Sequence, residues 1–251
     1  MFSNPSVMVE AKEPISLNVD TRDYEGVKYR IDADCLNKYM KPFTFKRFVA
    51  CGNNGCIYQI CDDHKECQFI LKIIHNTLYS PEQEIDLQNK AAEAGLAPKV
   101  FKTWECPGEV LRDTEYGSDP HWEKTNLQFL LTEKMDMRQA DYLFYIHVPP
   151  HSTVSHISHI PQKLTREEIN NIIEKLETVI LDLHDLGILH GDIYSDNVMV
   201  NVDGEGVLTQ IKLIDFGQAR QPLQFQWDTD ALNDDINFDF QYVDQLKREF
   251  Q

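Results

Sequence analysis

The sequence predicts an α+β fold. Three observations carry that prediction: short β-branched strands separated by Gly- and Asp-bearing turns over residues 43–74, one long apolar-striped helix over 165–186, and a Gly-rich hairpin over 198–214. The chain has 251 residues, 42% of them apolar, enough for a substantial core in one or two domains. Its aromatic and aliphatic content excludes wholesale disorder.

Residues 1–42 lack strong periodicity, and Pro5, Pro14 and mixed charge predict an extension or irregular cap. From Phe43 the pattern changes. Phe43–Ala50 alternates as a strand, Cys51-Gly52-Asn53-Asn54-Gly55 reads as a turn, and Cys56–Cys61 resumes a strand. Asp62-Asp63-His64-Lys65 is a second turn, and the apolar run Gln68–Ile74 completes three antiparallel strands. Pro81 sits where a helix can begin, with Glu82 and Glu84 in its first turn, Gly95 at its end and Pro98 beyond. Leu127–Thr132 is a further strand, and residues 136–163 are loop-rich. Thr165 and Glu168 form a capping box ahead of Ile169, Ile172, Ile173, Leu176, Val179, Ile180 and Leu183, which recur at helical spacing until Gly187. Strands Val198–Val202 and Leu208–Ile214 are joined by Asp203-Gly204-Glu205-Gly206. Phe238–Phe250 reads as a short amphipathic helix.

The formal charge is −17, from 41 acidic and 24 basic side chains. That excess argues against nucleic acid or an anionic membrane as the main partner, since both reward clustered Lys and Arg. Residues 161–251 carry 18 acids and 7 bases, so the last third is distinctly acidic. The N-terminus lacks a basic segment followed by an apolar run, and no apolar stretch approaches the length of a membrane span, so an intracellular chain is expected. The cysteines at 35, 51, 56, 61, 67 and 106 lack paired C-x-x-C spacing and read as reduced thiols in a reducing, cytoplasmic setting. His151, His156 and His159 cluster in a Pro- and Ser-bearing stretch that reads as a polar loop rather than a metal site.

Five motifs stand in order on the elements just described. Gly52-Asn53-Asn54-Gly55-Cys56-Ile57 lies between two strands; Phe69-Ile70-Leu71-Lys72 ends an apolar strand; Glu84 opens a helix; His190-Gly191-Asp192-Ile193-Tyr194-Ser195-Asp196-Asn197 follows the long helix; Ile214-Asp215-Phe216-Gly217 follows the hairpin. Each alone is weak, but together they resemble the protein-kinase-like superfamily over about residues 45–220. The resemblance implies a two-lobed fold: residues 1–42 a cap, an N-lobe over about 43–135 built of an antiparallel sheet and one helix, and a reduced, mainly helical C-lobe over about 136–251.

The resemblance also implies roles. Ala50, Gly52, Asn53, Asn54 and Gly55 stand in the phosphate loop, where small residues let backbone N–H groups approach phosphates. Lys72 supplies a point charge to the α/β-phosphates and Glu84, with Glu82 as the alternative, holds it. Asn197 and Asp215 are hard oxygen ligands suited to Mg²⁺, and Asp192 accepts the acceptor hydroxyl's proton. Thr132-Glu133-Lys134-Met135 is similar to the hinge, where the Glu133 carbonyl and Met135 N–H meet adenine and Ile57, Ile70 and Met199 sandwich it. Blander readings stand beside these: Lys72 as a snorkelling surface lysine, His190 as a packing residue, Ser195 and Asp196 as solvated loop residues, and Glu82 as a helix-dipole partner.

Four departures limit the match. Ala50 replaces the first loop glycine, Tyr194 stands where many protein kinases carry a γ-phosphate lysine, and Gly191 replaces the arginine that receives an activation-loop phosphate. Only 34 residues follow Gly217, without Ala-Pro-Glu. The pattern is similar to small atypical kinases: the kinase of the KEOPS complex, the RIO kinases, and bacterial-effector or viral kinases, which would act in a host cytoplasm. The expected activity is ATP- and Mg²⁺-dependent phosphorylation of Ser/Thr on a protein, or of the chain itself. The alternatives are an ATP-binding scaffold completed by a protein partner and, disfavoured by length, a small-molecule phosphotransferase. The acidic segment after Arg220 either selects a basic substrate or partner or is a solvated surface.

Overall fold

The computed structural model describes residues 15–18, 28–52, 55–75, 80–112, 121–144, 164–222 and 229–250. The histidines at 151, 156 and 159 therefore lie outside the described residues. The chain divides into two compact units, Met1–His75 with Trp104–Phe129, and Asn76–Thr103 with Leu130–Gln251.

The first unit is built on a sheet. It contains β1 (Ile15–Asn18), β2 (Lys28–Ile31), helix α1 (Ala33–Met40), β3 (Thr44–Cys51), β4 (Gly55–Cys61) and β5 (Phe69–Ile74). Two longer strands, β6 (Val100–Arg112) and β7 (His121–Glu133), complete the sheet order β1-β2-β6-β7-β5-β4-β3. The three expected antiparallel strands are present, paired β3 to β4 and β4 to β5. The irregular cap expected before residue 43 is corrected: Lys28–Ile31 pairs antiparallel with β6, and Asp32 caps α1 by accepting from Cys35 N at 2.7 Å. The stripe Ala33, Leu36 and Met40 buries this helix, joined in the core by Tyr29, Ile31, Leu71, Ile73, Leu127 and Phe129. Trp104 stacks on Phe129 with ring centroids 5.1 Å apart.

All six cysteines lie in this unit, and none is free. Cys35–Cys106, Cys51–Cys56 and Cys61–Cys67 form disulfides, which corrects the reduced-thiol reading. Spacing alone missed them because Cys35 and Cys106 are 71 residues apart and meet only when β6 docks beside β2. Disulfides persist in oxidising surroundings, so the thiols no longer argue for a reducing compartment.

The second unit is mainly helical. Its elements include α2 (Pro81–Glu93), β8 (Met137–Arg138), α3 (Gln139–Phe144), α4 (Arg166–Asp185), β9 (Val198–Val202), β10 (Leu208–Leu213), a 3₁₀ turn Phe216–Gln218 and α5 (Thr229–Phe250). Ser80 caps α2 through Gln83 N, Pro81 occupies its first turn, and Gly95 follows it at φ +82°. Thr165 and Glu168 form the expected capping box. β10, β9 and β8 make a small antiparallel sheet. The core joins Leu87, Ile172, Leu176, Ile180, Leu183, Leu213, Phe216, Val243 and Leu246. The C-terminal helix starts at Thr229 rather than near Phe238, because Val243 and Leu246 pack against α4 and draw the whole 22-residue segment into one helix. No described helix is long and apolar enough to cross a membrane.

Candidate active site

In the first unit, strand register aligns the residues expected to meet nucleotide. Ala50 is opposite Ile57, and Ile57 is opposite Lys72. Directly opposed residues share a face, as do residues two apart along a strand, so Ala50, Ile57, Lys72 and Ile70 lie on one face of the sheet. Cys51, Cys56 and Ile73 form the next rung and take the opposite face. Lys72 is 8% exposed, which corrects the snorkelling alternative. An ammonium buried at that level needs charged or hydrogen-bonding company. The two loop glycines differ in kind. A Cβ on Gly55 would stand 2.4 Å from Ile73 O, so close strand packing requires glycine there, whereas among the described residues nothing but its chain neighbours lies within 4 Å of a Cβ on Gly52. Gly52 N donates to Gly55 O at 3.0 Å. Asn53 and Asn54 lie outside the described residues.

The second unit carries the remaining candidates. Glu84 on α2 is buried and Glu82 is exposed, which leaves Glu82 the helix-dipole role. Gln83 Nε2 donates to Ala219 O at 3.2 Å, tying α2 to the chain just after the Asp-Phe-Gly motif. The hinge segment runs from β7: Glu133 N donates to Lys99 O at 2.9 Å, Glu133 is ion-paired with buried Lys212, and Thr132 and Met135 are buried. Met199 on β9 is half-buried.

The His-Gly-Asp loop is held at both ends. Leu189 and Arg220 exchange backbone hydrogen bonds at 2.9 Å. His190 is fully buried, its ring 4.9 Å from that of Phe216 and its Nε2 3.1 Å from Ile214 O, as a packing residue should be. Fully buried Asp239 on α5 accepts from His190 N at 2.8 Å and from Gly191 N at 2.8 Å, and its Oδ2 lies 2.9 Å from His184 Nε2. Gly191 has φ +74°, and a Cβ there would stand 2.9 Å from Gln218 O. A side chain there, the arginine of the commoner triplet included, would be strained and would require the Gln218 backbone to shift. Asp196 is not merely solvated, because Arg138 Nη1 donates to it at 2.5 Å while the same guanidinium holds Asp141. Tyr194 is 43% exposed.

Asp192, Asn197 and Asp215 come together. Asn197 Nδ2 donates to Asp192 O at 2.9 Å and to Asp192 Oδ2 at 3.0 Å. Both contacts use the amide nitrogen, so neither occupies the Asn197 carbonyl oxygen. Ile214 N donates to Asn197 O at 3.0 Å, linking this loop to the strand that leads into Asp215. Asp215 adopts the left-handed conformation, φ 63° and ψ 73°, uncommon for a residue with a side chain. Burial, followed by the negative charge of Asp215, pushes the Asp192 carboxyl above its ordinary value, while hydrogen bonds from Asn197 and Gln218 pull it back. A half-buried carboxylate raised by its neighbour Asp215, beside the Asn197 side-chain carbonyl oxygen, makes a hard-oxygen set that a divalent cation would relieve, so these residues fit Mg²⁺. Among the described residues no cluster of three His, Cys, Asp or Glu side chains is arranged for a metal.

Asp239, Gln218, Arg138 and Lys212 are participants that sequence reasoning missed. Asp239 falls in an acidic segment read there as surface charge. The usable signal was its period with Tyr242, Val243 and Leu246, buried positions on the same helix. A family model of the protein kinase domain matches residues 43–229. Serine/threonine-protein kinase PSK2 of Saccharomyces cerevisiae (strain ATCC 204508 / S288c) is 30% identical over 161 residues, 60% of this chain and 14% of that protein. The chain thus spans a small part of the length of the curated relative it matches.

Proposed function

The chain belongs to the protein kinase domain family, and from that premise we propose that it is an ATP- and Mg²⁺-dependent enzyme phosphorylating Ser or Thr of a protein substrate or of its own chain. The carrying observation is the Asp192–Asn197–Asp215 group, in which Asp215 raises the Asp192 carboxyl. Phosphoryl transfer needs positioning and charge neutralisation more than covalent chemistry. Asp192 orients the acceptor hydroxyl and takes its proton as the oxygen bonds to the γ-phosphorus and the bond to the β-phosphate oxygen breaks, releasing ADP. Asn197 and Asp215 would hold Mg²⁺, which when bound would neutralise phosphate charge. Lys72 contacts the α/β-phosphates and Glu84 positions it. The Glu133 carbonyl and Met135 N–H meet the adenine edge, with Ile57, Ile70 and Met199 against its faces.

The Gly191 backbone, which disfavours arginine, supports placing the chain among atypical kinases that take no activation-loop phosphate at this position. The exposed carboxylates Asp234 and Asp244 on α5 support a basic substrate or partner, whereas Asp239 is buried and Asp235 is paired with Arg220. Binding to a basic peptide should weaken from low to physiological salt. A second reading, an ATP-binding scaffold, is favoured by Tyr194 in place of a γ-phosphate lysine. Incubation with γ-labelled ATP and protein acceptors separates the two: label transferred by wild type should fall about 10²- to 10⁴-fold in Asp192→Ala. Equal labelling by both proteins rejects catalysis by this site.

A further inference from the structure

One of the three disulfides spans the glycine turn. Cys51 and Cys56 face each other on β3 and β4 with Cα atoms 4.1 Å apart, next to the Gly52–Gly55 rung closed by its 3.0 Å N–H···O bond. Residues flanking a hydrogen-bonded rung in an antiparallel pair form the close, non-hydrogen-bonded pair, which brings their side chains within reach of a covalent link. Cys56 is fully buried and Cys51 is half-buried, so the bridge meets solvent through Cys51. Cys35–Cys106 ties α1 to β6 and Cys61–Cys67 closes the turn after β4; neither touches the glycine turn.

We infer that Cys51–Cys56 is a thiol–disulfide control site for nucleotide binding, weakening it when bridged and strengthening it when open. The inference rests on reading Ala50, Gly52 and Gly55 as phosphate-loop residues. The bridge clamps the strands one residue outside the Gly52–Gly55 rung, so the Gly52 N–H stays committed to Gly55 O. Among the described residues, and its chain neighbours apart, no atom lies within 4 Å of a Cβ built at Gly52. Once the bridge opens, the rung can part and the Gly52 N–H can turn to a phosphate oxygen. Opening follows ordinary exchange with a dithiol reductant. A reductant thiolate attacks Cys51 Sγ, the S–S bond breaks, and Cys56 leaves as a thiolate that takes a proton. The reductant's second thiol, losing its proton, displaces Cys51 and closes its own disulfide. Two electrons and two protons pass to the protein, and a disulfide oxidant reverses the step.

The test measures ATP affinity of the full chain with Mg²⁺ after oxidation by a small disulfide and after reduction by dithiothreitol. Alkylation and mass spectrometry establish the state of each cysteine. Reduction should tighten ATP binding about three- to tenfold, the scale of one hydrogen bond regained. Because dithiothreitol opens all three bridges, two double variants assign the effect. Cys51→Ser/Cys56→Ser should bind like reduced wild type and ignore dithiothreitol, whereas Cys61→Ser/Cys67→Ser should respond as wild type does. Equal affinity of wild-type states that differ at Cys51 and Cys56 overturns the inference, as does a response that survives in Cys51→Ser/Cys56→Ser or free alkylation of Cys51 and Cys56 after oxidation. Those results leave the kinase reading standing. Absence of ATP binding in every state instead rejects the nucleotide reading, and this inference with it. The wild-type comparison stands by itself if a variant fails to fold.

Discussion

Asp239 Oδ1 lies 2.8 Å from the backbone nitrogen of Gly191, so the last helix holds the loop that carries the proposed base. The same carboxylate takes His190 N and meets His184, three neighbours for one fully buried charge. Removing it leaves buried donors without an acceptor. Asp239→Ala should cost about 3 kcal/mol or more in urea unfolding and slow phosphotransfer at least tenfold by loosening the loop. Asp239→Asn keeps one acceptor oxygen and should recover part of both. An alanine variant with wild-type rate and stability would show that the loop holds itself.

Why was this anchor illegible when the loop itself was not? The His-Gly-Asp and Asp-Phe-Gly motifs are contiguous, so their spacing alone identifies them. Asp239 lies 48 residues beyond Gly191 and meets it only through packing of α5 on α4. Strand β6 was hidden for a local reason: Pro107 and Gly108 interrupt its strand pattern. Gly108 instead marks a close approach, since a Cβ there would stand 2.7 Å from Arg30 O on β2. β2 was then hidden in turn, being a short strand whose partner had not been recognised. α2 and α4 were legible because caps, apolar period and terminal glycine agree, as local and global preferences do in a foldable sequence.

The start of α4 gives a prediction with a pH signature. Thr165 Oγ1 accepts from Glu168 N at 3.2 Å while Glu168 Oε2 accepts from Thr165 N at 2.7 Å. Hydrogen bonds from the Thr165 backbone and hydroxyl lower the Glu168 pKa from 4.5. A carboxylate whose folded pKa is depressed stabilises above its unfolded value and loses that contribution as pH falls through the folded one. Thr165→Ala should cost about 1 kcal/mol at neutral pH, as loss of a cap does. The difference from wild type should shrink in denaturant titrations run progressively below pH 4.5. A constant difference down to pH 2 would mean the hydroxyl acts without the carboxylate.

Asp192 carries the opposite sign. Its folded pKa is raised above 3.8 by burial and by Asp215, so the ionised carboxylate opposes folding of the nucleotide-free chain. That opposition is full above the folded pKa and fades as pH falls toward 3.8, where the folded state takes up the proton first. Asp192→Asn should therefore melt higher than wild type at pH 7 without nucleotide or metal, even though the proposed mechanism makes it inactive. The carboxylate is partly solvated and screened, so the gain should stay below about 1 kcal/mol, a rise of no more than about 4 °C. Melting curves at pH 7 and pH 4 check this, and a lower melting temperature for Asp192→Asn at pH 7 would reverse the sign assigned to the site.

Gly191 sets the last expectation. Its φ of +74° already disfavours any side chain, and a Cβ would meet Gln218 O at 2.9 Å and Arg220 Nη1 at 3.0 Å. Gln218 also hydrogen-bonds Asp192, so displacing it disturbs the proposed base directly. Gly191→Ala should lose about 1–2 kcal/mol from the left-handed backbone alone and should lower the phosphotransfer rate with it. Gly191→Arg restores the residue of the commoner triplet, yet it must suffer the same backbone clash and should be no more active than Gly191→Ala. Rate measurements on both variants decide the point: an arginine variant as fast as wild type would mean that the loop can adopt the commoner geometry, and that glycine here is a choice rather than a steric requirement.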